Sequence, residues 1–243
     1  MKRALVVWLL LAAGSRCFSG ETYRDALPPW LARLRDAVYE QVLRAEQIYP
    51  LYTAAKTKAG ELSGADKFNA LAFCEYLMGR AYQYFELKDS AVACYQRGYD
   101  AAESSLAVKE TAAGWVARSN NLSQLCTLKP RTFAISRGLD VGRYAENALK
   151  LNPRSGAAKH IIASRWVYAP APFNDNGKGV NQMKEILAGD YELQRDDLFN
   201  VYTALAYVYL RIKDKNEARV WIDKALSVYP TNKFVGEELR GRL

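Results

Sequence analysis

Residues 199–232 carry small and large apolar residues at intervals that fit two closely packed antiparallel helices. Counted from Phe199, the pattern is Leu205 and Ala206 at positions 7 and 8, Tyr209 at 11, Ala218 at 20, Ile222 at 24, Ala225 at 27 and Pro230 at 32. Small residues at 8 and 20 let the helices approach, while large residues at 11 and 24 fill the space between them. The small residue at 27 admits the next helix, and proline at 32 ends the second helix. The spacing predicts a repeated helix pair, because one pair alone cannot bury its apolar surface.

The same spacing recurs at residues 72–105. The matching residues are Met78 and Gly79 at positions 7 and 8, Tyr82 at 11, Ala91 at 20, Tyr95 at 24 and Gly98 at 27. Position 32 departs from the pattern, since Glu103 replaces the proline. Two matches in one chain predict a helical array rather than an isolated helix pair.

Two further units are less regular. Residues 122–155 form a degenerate unit that keeps Ala145, Ala148 and Pro153 at positions 24, 27 and 32, with Pro130 expected to interrupt its first helix. Residues 156–192 keep Ile162, Ala163 and Trp166 at positions 7, 8 and 11 and then carry an insertion rich in proline and glycine. That insertion, which includes Pro170, Pro172 and Phe173, is interpreted either as a docking element or as a stiff connector.

Over about residues 72–232 the chain resembles the tetratricopeptide repeat (TPR) family. The resemblance implies an all-α, right-handed solenoid of antiparallel helix pairs, with a concave inner face that binds proteins or peptides. Residues 95–98 (YQRG) and the loop at 169–179 also resemble the exported T component associated with TRAP-type solute transporters. That narrower resemblance implies a transporter's solute-binding subunit as the partner, although the loop only approximates the family's proline followed by paired glycines.

Residues 20–71 are expected to form an N-terminal helical cap. A helix should open at Pro28–Pro29 and continue to Pro50, where proline should kink or restart it, and residues 60–64 should form a loop. The apolar face of this helix is predicted to consist of Trp30, Leu34, Ala37, Val38, Val42 and Ala45.

The first 19 residues have the order of a secretory signal peptide, a basic start followed by ten apolar residues and then small residues. The apolar run is too short to span a bilayer. Cleavage is expected after Ser19 or after Ser15, and Cys17 leaves a lipid anchor as an alternative that the neighbouring Arg16 disfavours. The expected location is therefore a bacterial periplasm.

Composition narrows the function classes. The formal net charge is +8 and becomes +5 without the signal peptide, but the basic residues are scattered, so nucleic-acid binding is not expected. The only histidine is His160, and neither a catalytic constellation nor a metal-ligand cluster is visible. The segment 174–179 resembles a calcium loop only weakly, because Lys178 stands where a ligand oxygen is required. No enzyme activity, cofactor or metal is expected, and the pairing of Cys74, Cys94 and Cys126 is left open.

Projection of the repeat onto a concave face gives a set of candidate binding residues. They are Phe73, Tyr76, Arg80, Gln83, Tyr84, His160, Ser164, Tyr168, Asn200, Thr203, Tyr207 and Arg211. Tyr and Arg are frequent in binding hot spots, and an arginine can hold a carboxylate through two hydrogen bonds. The expected function is a non-enzymatic scaffold for a protein or peptide partner. The alternatives are a protein that binds a small apolar or anionic solute inside the solenoid, and a self-associating envelope protein.

Overall fold

The structure is a computed structural model that describes residues 23–243. These residues form ten α-helices: α1 Pro29–Glu40, α2 Ala45–Glu61, α3 Gly64–Tyr84, α4 Lys88–Val108, α5 Ala112–Leu128, α6 Arg131–Leu151, α7 Gly156–Tyr168, α8 Asn176–Ala188, α9 Arg195–Arg211 and α10 Lys215–Val228. A π-helical turn (Phe234–Leu239) and a 3-10 turn (Arg240–Arg242) follow. Within 23–243 the β-structure is limited to one isolated bridge between Ser155 and Glu192, so the all-α prediction is confirmed.

The helices pack as successive antiparallel pairs, in which α3 contacts α4, α5 contacts α6, α7 contacts α8 and α9 contacts α10. The first helices of these pairs, α3, α5, α7 and α9, also contact one another in that order. Their shared surface is called the inner face below. The architecture is therefore a solenoid of helix pairs, and the inner face is built from the helices that the repeat pattern assigns to it.

Small residues at the predicted positions do bring the paired helices together. A Cβ atom added to Gly79 of α3 would lie 2.6 Å from the Tyr95 ring of α4, which is closer than side-chain atoms approach. In the last pair, Ala206 and Ala218 are fully buried between α9 and α10, and Ile222 fills the same core. The small and large positions read from the sequence thus have the packing roles expected of them.

Short polar side chains begin several of the helices. The hydroxyl groups of Thr111 and Ser155 accept hydrogen bonds from the backbone N–H groups of Gly114 and Ala158, and each satisfies a donor at the start of its helix. Asp175 accepts from the Lys178 N–H at 2.9 Å. The polar segment around Asp175 is therefore the cap of α8.

Helix boundaries differ from the predictions at two places in the N-terminal half. The first helix ends at Glu40, because Gln41 adopts a left-handed backbone with φ of 55°; Pro50 lies inside α2 and does not end it. The helix α3 begins at Gly64 and runs through the expected boundary between residues 71 and 72.

The degenerate unit and the insertion also differ from expectation. Pro130 is the residue before α6, so it separates two helices and does not interrupt one. Since α8 begins at Asn176, the loop between α7 and α8 covers only residues 169–175, and Gly177 and Gly179 belong to the helix. Phe173 is 68% exposed within this loop.

The apolar face predicted for α1 is wrong in part. Its buried residues are Leu31, Leu34, Arg35, Val38 and Tyr39. Val42 is 57% exposed, because it lies after the end of the helix. The buried face of α1 keeps helical spacing but includes Arg35 and Tyr39. These two side chains contact the helices of the inner face.

Candidate functional site: the inner face

The helix α1 lies across one end of the inner face, between the first and the last of the paired helices. The Arg80 guanidinium of α3 lies 4.8 Å from the centroid of the Tyr39 ring. From α9, the Asn200 amide donates to the Tyr39 hydroxyl at 3.1 Å, and the Phe199 ring meets the Tyr39 ring edge-on at 5.5 Å. Tyr39 thus joins two helices that are far apart in the sequence. Arg35, Tyr39, Arg80 and Asn200 are called the closed end below.

Arg35 is fully buried at this end and is surrounded by carboxylates. Its two terminal nitrogens donate to the Asp25 carboxylate at 3.0 and 2.7 Å, and its Nε donates to Asp36 at 2.9 Å. The Asp196 carboxylate of α9 lies 3.6 Å away. A buried cation with so many opposite charges is compensated, and removal of either partner would leave a costly unpaired charge.

The pKa shifts at the closed end follow from these contacts. Burial opposes the charged form of Arg35, but the hydrogen bonds to Asp25 and the nearby acids outweigh it and raise the pKa of Arg35. The hydrogen bond from Arg35 in turn lowers the pKa of Asp25 below its ordinary value. Burial raises the pKa of Asp196, although Arg35 opposes the shift.

The segment after α10 completes the closed end. Tyr229 stacks on Tyr39 at 5.2 Å between ring centroids and donates to Asp36 at 3.0 Å. The Asn232 amide donates to the Tyr39 carbonyl, and the Gln41 side chain accepts from the backbone N–H groups of residues 233 and 234. The two ends of the described chain are therefore tied together across the solenoid.

Several of the predicted binding residues lie around Arg80. The Tyr76 hydroxyl accepts from Arg80 at 3.2 Å. His160 of α7 pairs with Ser164 at 3.2 Å. Burial and, secondly, the positive charge of Arg80 together lower the pKa of His160 to about 4. His160 is thus held neutral near neutral pH, and Arg80 has no ion pair with a carboxylate among residues 23–243.

The other end of the inner face is more exposed. The Tyr168 ring lies 5.4 Å from the Tyr207 ring and is 49% exposed. The guanidinium groups of Arg211 and Arg242 each lie 5.6 Å from the centroid of the Tyr207 ring. Tyr168, Tyr207, Arg211 and Arg242 are called the open end below.

Arg211 is only partly satisfied. Its Nη1 donates to the Val167 carbonyl at 2.7 Å, whereas its Nε and Nη2 are buried without a hydrogen-bond partner in the described part of the chain. A guanidinium in this state can donate to an incoming acceptor, most strongly to a carboxylate or another anion. The Thr203 hydroxyl, also a predicted binding residue, is buried without a partner in the same sense.

Three predicted residues have contacts elsewhere. Phe73 stacks on Tyr76 and packs against the core. Gln83 accepts from the Tyr95 hydroxyl of α4 at 3.0 Å, and Tyr84 meets the neighbouring Phe85 edge-on. These three predicted binding residues therefore each have a partner within α3, at its C-terminal end or in α4.

Sequence reasoning missed Arg35 and Tyr39 of α1 and their α9 partners Asp196 and Phe199, whereas Asn200 was among the predicted binding residues. The available signal was the spacing of Leu31, Arg35, Val38 and Tyr39, which follows one face of a helix. An assignment based on hydrophobicity treats arginine as a surface residue. The predicted apolar face of α1 therefore left out Arg35 and the neighbouring Tyr39. Within residues 23–243 there is also no group of three or more His, Cys, Asp and Glu side chains arranged to hold a metal ion.

Comparison with known proteins supports the repeat assignment. The model of the tetratricopeptide repeat matches residues 199–232, which confirms the prediction for that unit. A search of curated proteins found no match. A solved structure described as YrrB, a TPR protein with an unusual peptide-binding site, is 14% identical, with a TM-score of 0.37, and the alignment covers 87% of this chain and 91% of that chain.

The class defined by the fold is therefore an all-α solenoid of helix pairs that contains a tetratricopeptide repeat at residues 199–232. Such repeats serve protein–protein interaction, and their inner faces are extended binding surfaces. Among residues 23–243 no helix is long and apolar enough to cross a bilayer. The expected signal peptide and Cys17 lie outside the described residues.

Proposed function

We propose that this protein is a non-enzymatic scaffold that binds an acidic segment of a partner protein at the open end of the inner face. The observation that carries the proposal is Arg211, with two buried guanidinium nitrogens that have no partner among the described residues. Because α1 covers the closed end, the partner segment is expected to enter beside Tyr168, which is half exposed.

The chemistry of the open end favours a carboxylate. The guanidinium groups of Arg211 and Arg242 each lie 5.6 Å from the centroid of the Tyr207 ring, so the open end carries two positive charges that an anion would neutralise. The rings of Tyr168 and Tyr207 supply apolar contact area at low entropic cost. A peptide with an acidic residue next to an aromatic or aliphatic residue would satisfy both features.

The location and the partner are finer proposals. The order of basic, apolar and small residues in the first 19 positions supports export, and we infer a bacterial periplasm as the compartment. The resemblance of residues 95–98 and 169–179 to the T component supports a transporter's solute-binding subunit as the partner.

A second candidate function is the binding of a small anionic solute on the inner face. Arg80 favours it, since this cation lies deep on the inner face between the rings of Tyr39 and Tyr76, without an ion pair among residues 23–243. Substitution of Arg80 should abolish binding of a small solute, whereas substitution of Arg211 should abolish binding of a peptide. The two candidate functions are distinguished in this way.

The first experiment is gentle purification of the protein from its native cells, with mass spectrometry of whatever accompanies it. A stoichiometric solute-binding subunit supports the scaffold and its partner. Protein recovered alone would contradict the transporter partner and direct the search to bound solutes.

The second experiment measures a fluorescent Glu-rich peptide by polarisation, with the corresponding Gln-rich peptide as the uncharged comparison. Arg211→Gln should weaken Glu-peptide binding at least about tenfold, because a charge-assisted hydrogen-bond pair is lost. The matched control is Arg219→Gln, which removes an exposed arginine from α10. Equal binding by both variants would overturn the assignment of the site to the open end.

A further inference from the structure

A cavity of about 390 Å³ lies between α2, α3 and α4, and none of its lining residues belongs to either end of the inner face. Its walls include Tyr49, Tyr52, Tyr82 and Ala93, with Lys56 and Arg97 as the charged groups. This volume falls in the range of small-molecule sites, which runs from about 300 to 1,000 Å³. The functional assignment of the inner face leaves this cavity unexplained.

The two cations of the cavity, Lys56 and Arg97, both form ion pairs with one buried carboxylate. Glu75 of α3 is only 3% exposed. Its Oε1 accepts from the Tyr52 hydroxyl at 2.7 Å and from Lys56 at 2.8 Å, and its Oε2 accepts from Arg97 Nε at 3.1 Å and Nη2 at 2.8 Å. Four donors occupy the two oxygens, so Glu75 has little capacity left for a ligand and instead fixes the positions of both cations.

The remaining hydrogen-bonding capacity consists of donors. Lys56 carries three protons, of which Glu75 and the Tyr52 hydroxyl engage two. Arg97 binds Glu75 and the Cys94 sulfur through Nε and Nη2, and its Nη1 is outside these bonds. The Lys56 and Arg97 side chains are 37% and 51% exposed, so both reach solvent from the cavity. Two cations against one carboxylate leave an excess positive charge, which matches an anion.

The walls indicate the shape of the ligand. The rings of Tyr49 and Tyr52 lie 5.9 Å apart and tilted, and Tyr82 contributes a third ring from α3. Rings in such a wall favour a flat unsaturated body, which they contact through faces and edges. We propose that this cavity is a second binding site, which takes a small aromatic carboxylate with its acid group on Lys56 and Arg97 and its ring among the tyrosines.

The site is suited to reversible binding. Burial and, secondly, the nearby Glu75 carboxylate together raise the pKa of the Cys94 thiol to about 11. The thiol therefore stays protonated near neutral pH and is a poor nucleophile. Residues 95–98, which carry the narrower family resemblance, include Arg97.

The test is calorimetric titration of the purified protein with 2-naphthoate and, separately, with the uncharged isostere 2-naphthamide. Naphthoate should bind at least about tenfold more tightly than the amide, because only the carboxylate forms hydrogen-bonded ion pairs with both cations. Equal binding of the two compounds, or no binding of naphthoate at millimolar concentration, would overturn the proposal.

The location is tested without disturbing the Glu75 network. Ala93 is exposed at the cavity wall, so Ala93→Trp should fill the cavity and abolish naphthoate binding while the fold is kept. Ala107→Trp is the control, since Ala107 is an exposed alanine of the same helix outside the lining. Thermal unfolding of both variants verifies that they fold. Naphthoate binding by a folded Ala93→Trp protein would show that the ligand binds elsewhere.

Discussion

Arg35 at the closed end and Arg211 at the open end are both arginines on the inner face of the solenoid, but their surroundings differ. Arg35 is fully buried and contacts the carboxylates of Asp25, Asp36 and Asp196. Arg211 has one carbonyl partner and two buried nitrogens without any in the described chain. A compensated buried cation holds helices together, whereas a cation with unpaired nitrogens serves, by our proposal, to bind a ligand.

The inner face therefore has one end whose contacts stabilise the fold and another end that we propose binds a partner. At the closed end, α1 contacts α9 through Tyr39, which accepts a hydrogen bond from Asn200 and packs against Phe199. At the open end Tyr168 is 49% exposed, and the Tyr207 ring beside it is partly buried. Arginine and tyrosine side chains therefore hold helices together at the closed end and, by our proposal, bind a partner at the open end.

The largest expected effect is on Arg35. Arg35→Met should destabilise the protein by about 3–5 kcal/mol, because it leaves three acidic groups near a buried site without their cation. Urea unfolding followed by circular dichroism measures the change. Arg33→Met, at an exposed position of α1, should change stability by less than about 0.5 kcal/mol. Similar free energies of unfolding for the two variants would show that the contacts of Arg35 do not stabilise the fold.

The next effect concerns pH. The folded-state pKa of His160 is about 4, below the ordinary value of 6.5, so the folded protein prefers the neutral ring. Its contribution is fully present above pH 6.5 and is lost as the pH falls towards 4, by about 3 kcal/mol at most. His160→Gln should remove this part of the acid sensitivity.

The measurement compares unfolding free energies of the wild type and His160→Gln across that pH range. As the pH falls, the free energy of unfolding of the wild type should decrease relative to that of His160→Gln, since only the wild type carries the buried imidazole. A constant difference would indicate that His160 titrates normally and is well solvated.

The smallest effect is on the stability of the open end. Arg211→Met should alter the free energy of unfolding by only about 1 kcal/mol, because a single hydrogen bond to Val167 is lost and no ion pair is broken. The same urea titration applies. A loss as large as that of Arg35→Met would mean that Arg211 holds the fold, and the comparison between the two ends would fail.

Much of the fold was predictable because its signal is local. Ala206, Ala218 and Ile222 occupy positions that the spacing assigns to the contact between paired helices, and all three are buried. The inner-face projection stays a prediction, because small rotations of a helix decide which side chain reaches the shared surface. Gln83, for example, accepts a hydrogen bond from Tyr95 of α4, which the spacing alone does not indicate.

The sequence by itself determined the helical repeat, since helix formation and pair packing depend on residues within about 34 positions of one another. Only the tertiary structure decided that α1 crosses to α9. The contacts of Tyr39 with Asn200 and Asn232 join residues 161 and 193 positions apart, and no local periodicity encodes such a separation. Burial of Arg35 likewise depends on Asp196, which reaches it only after every intervening helix pair has stacked.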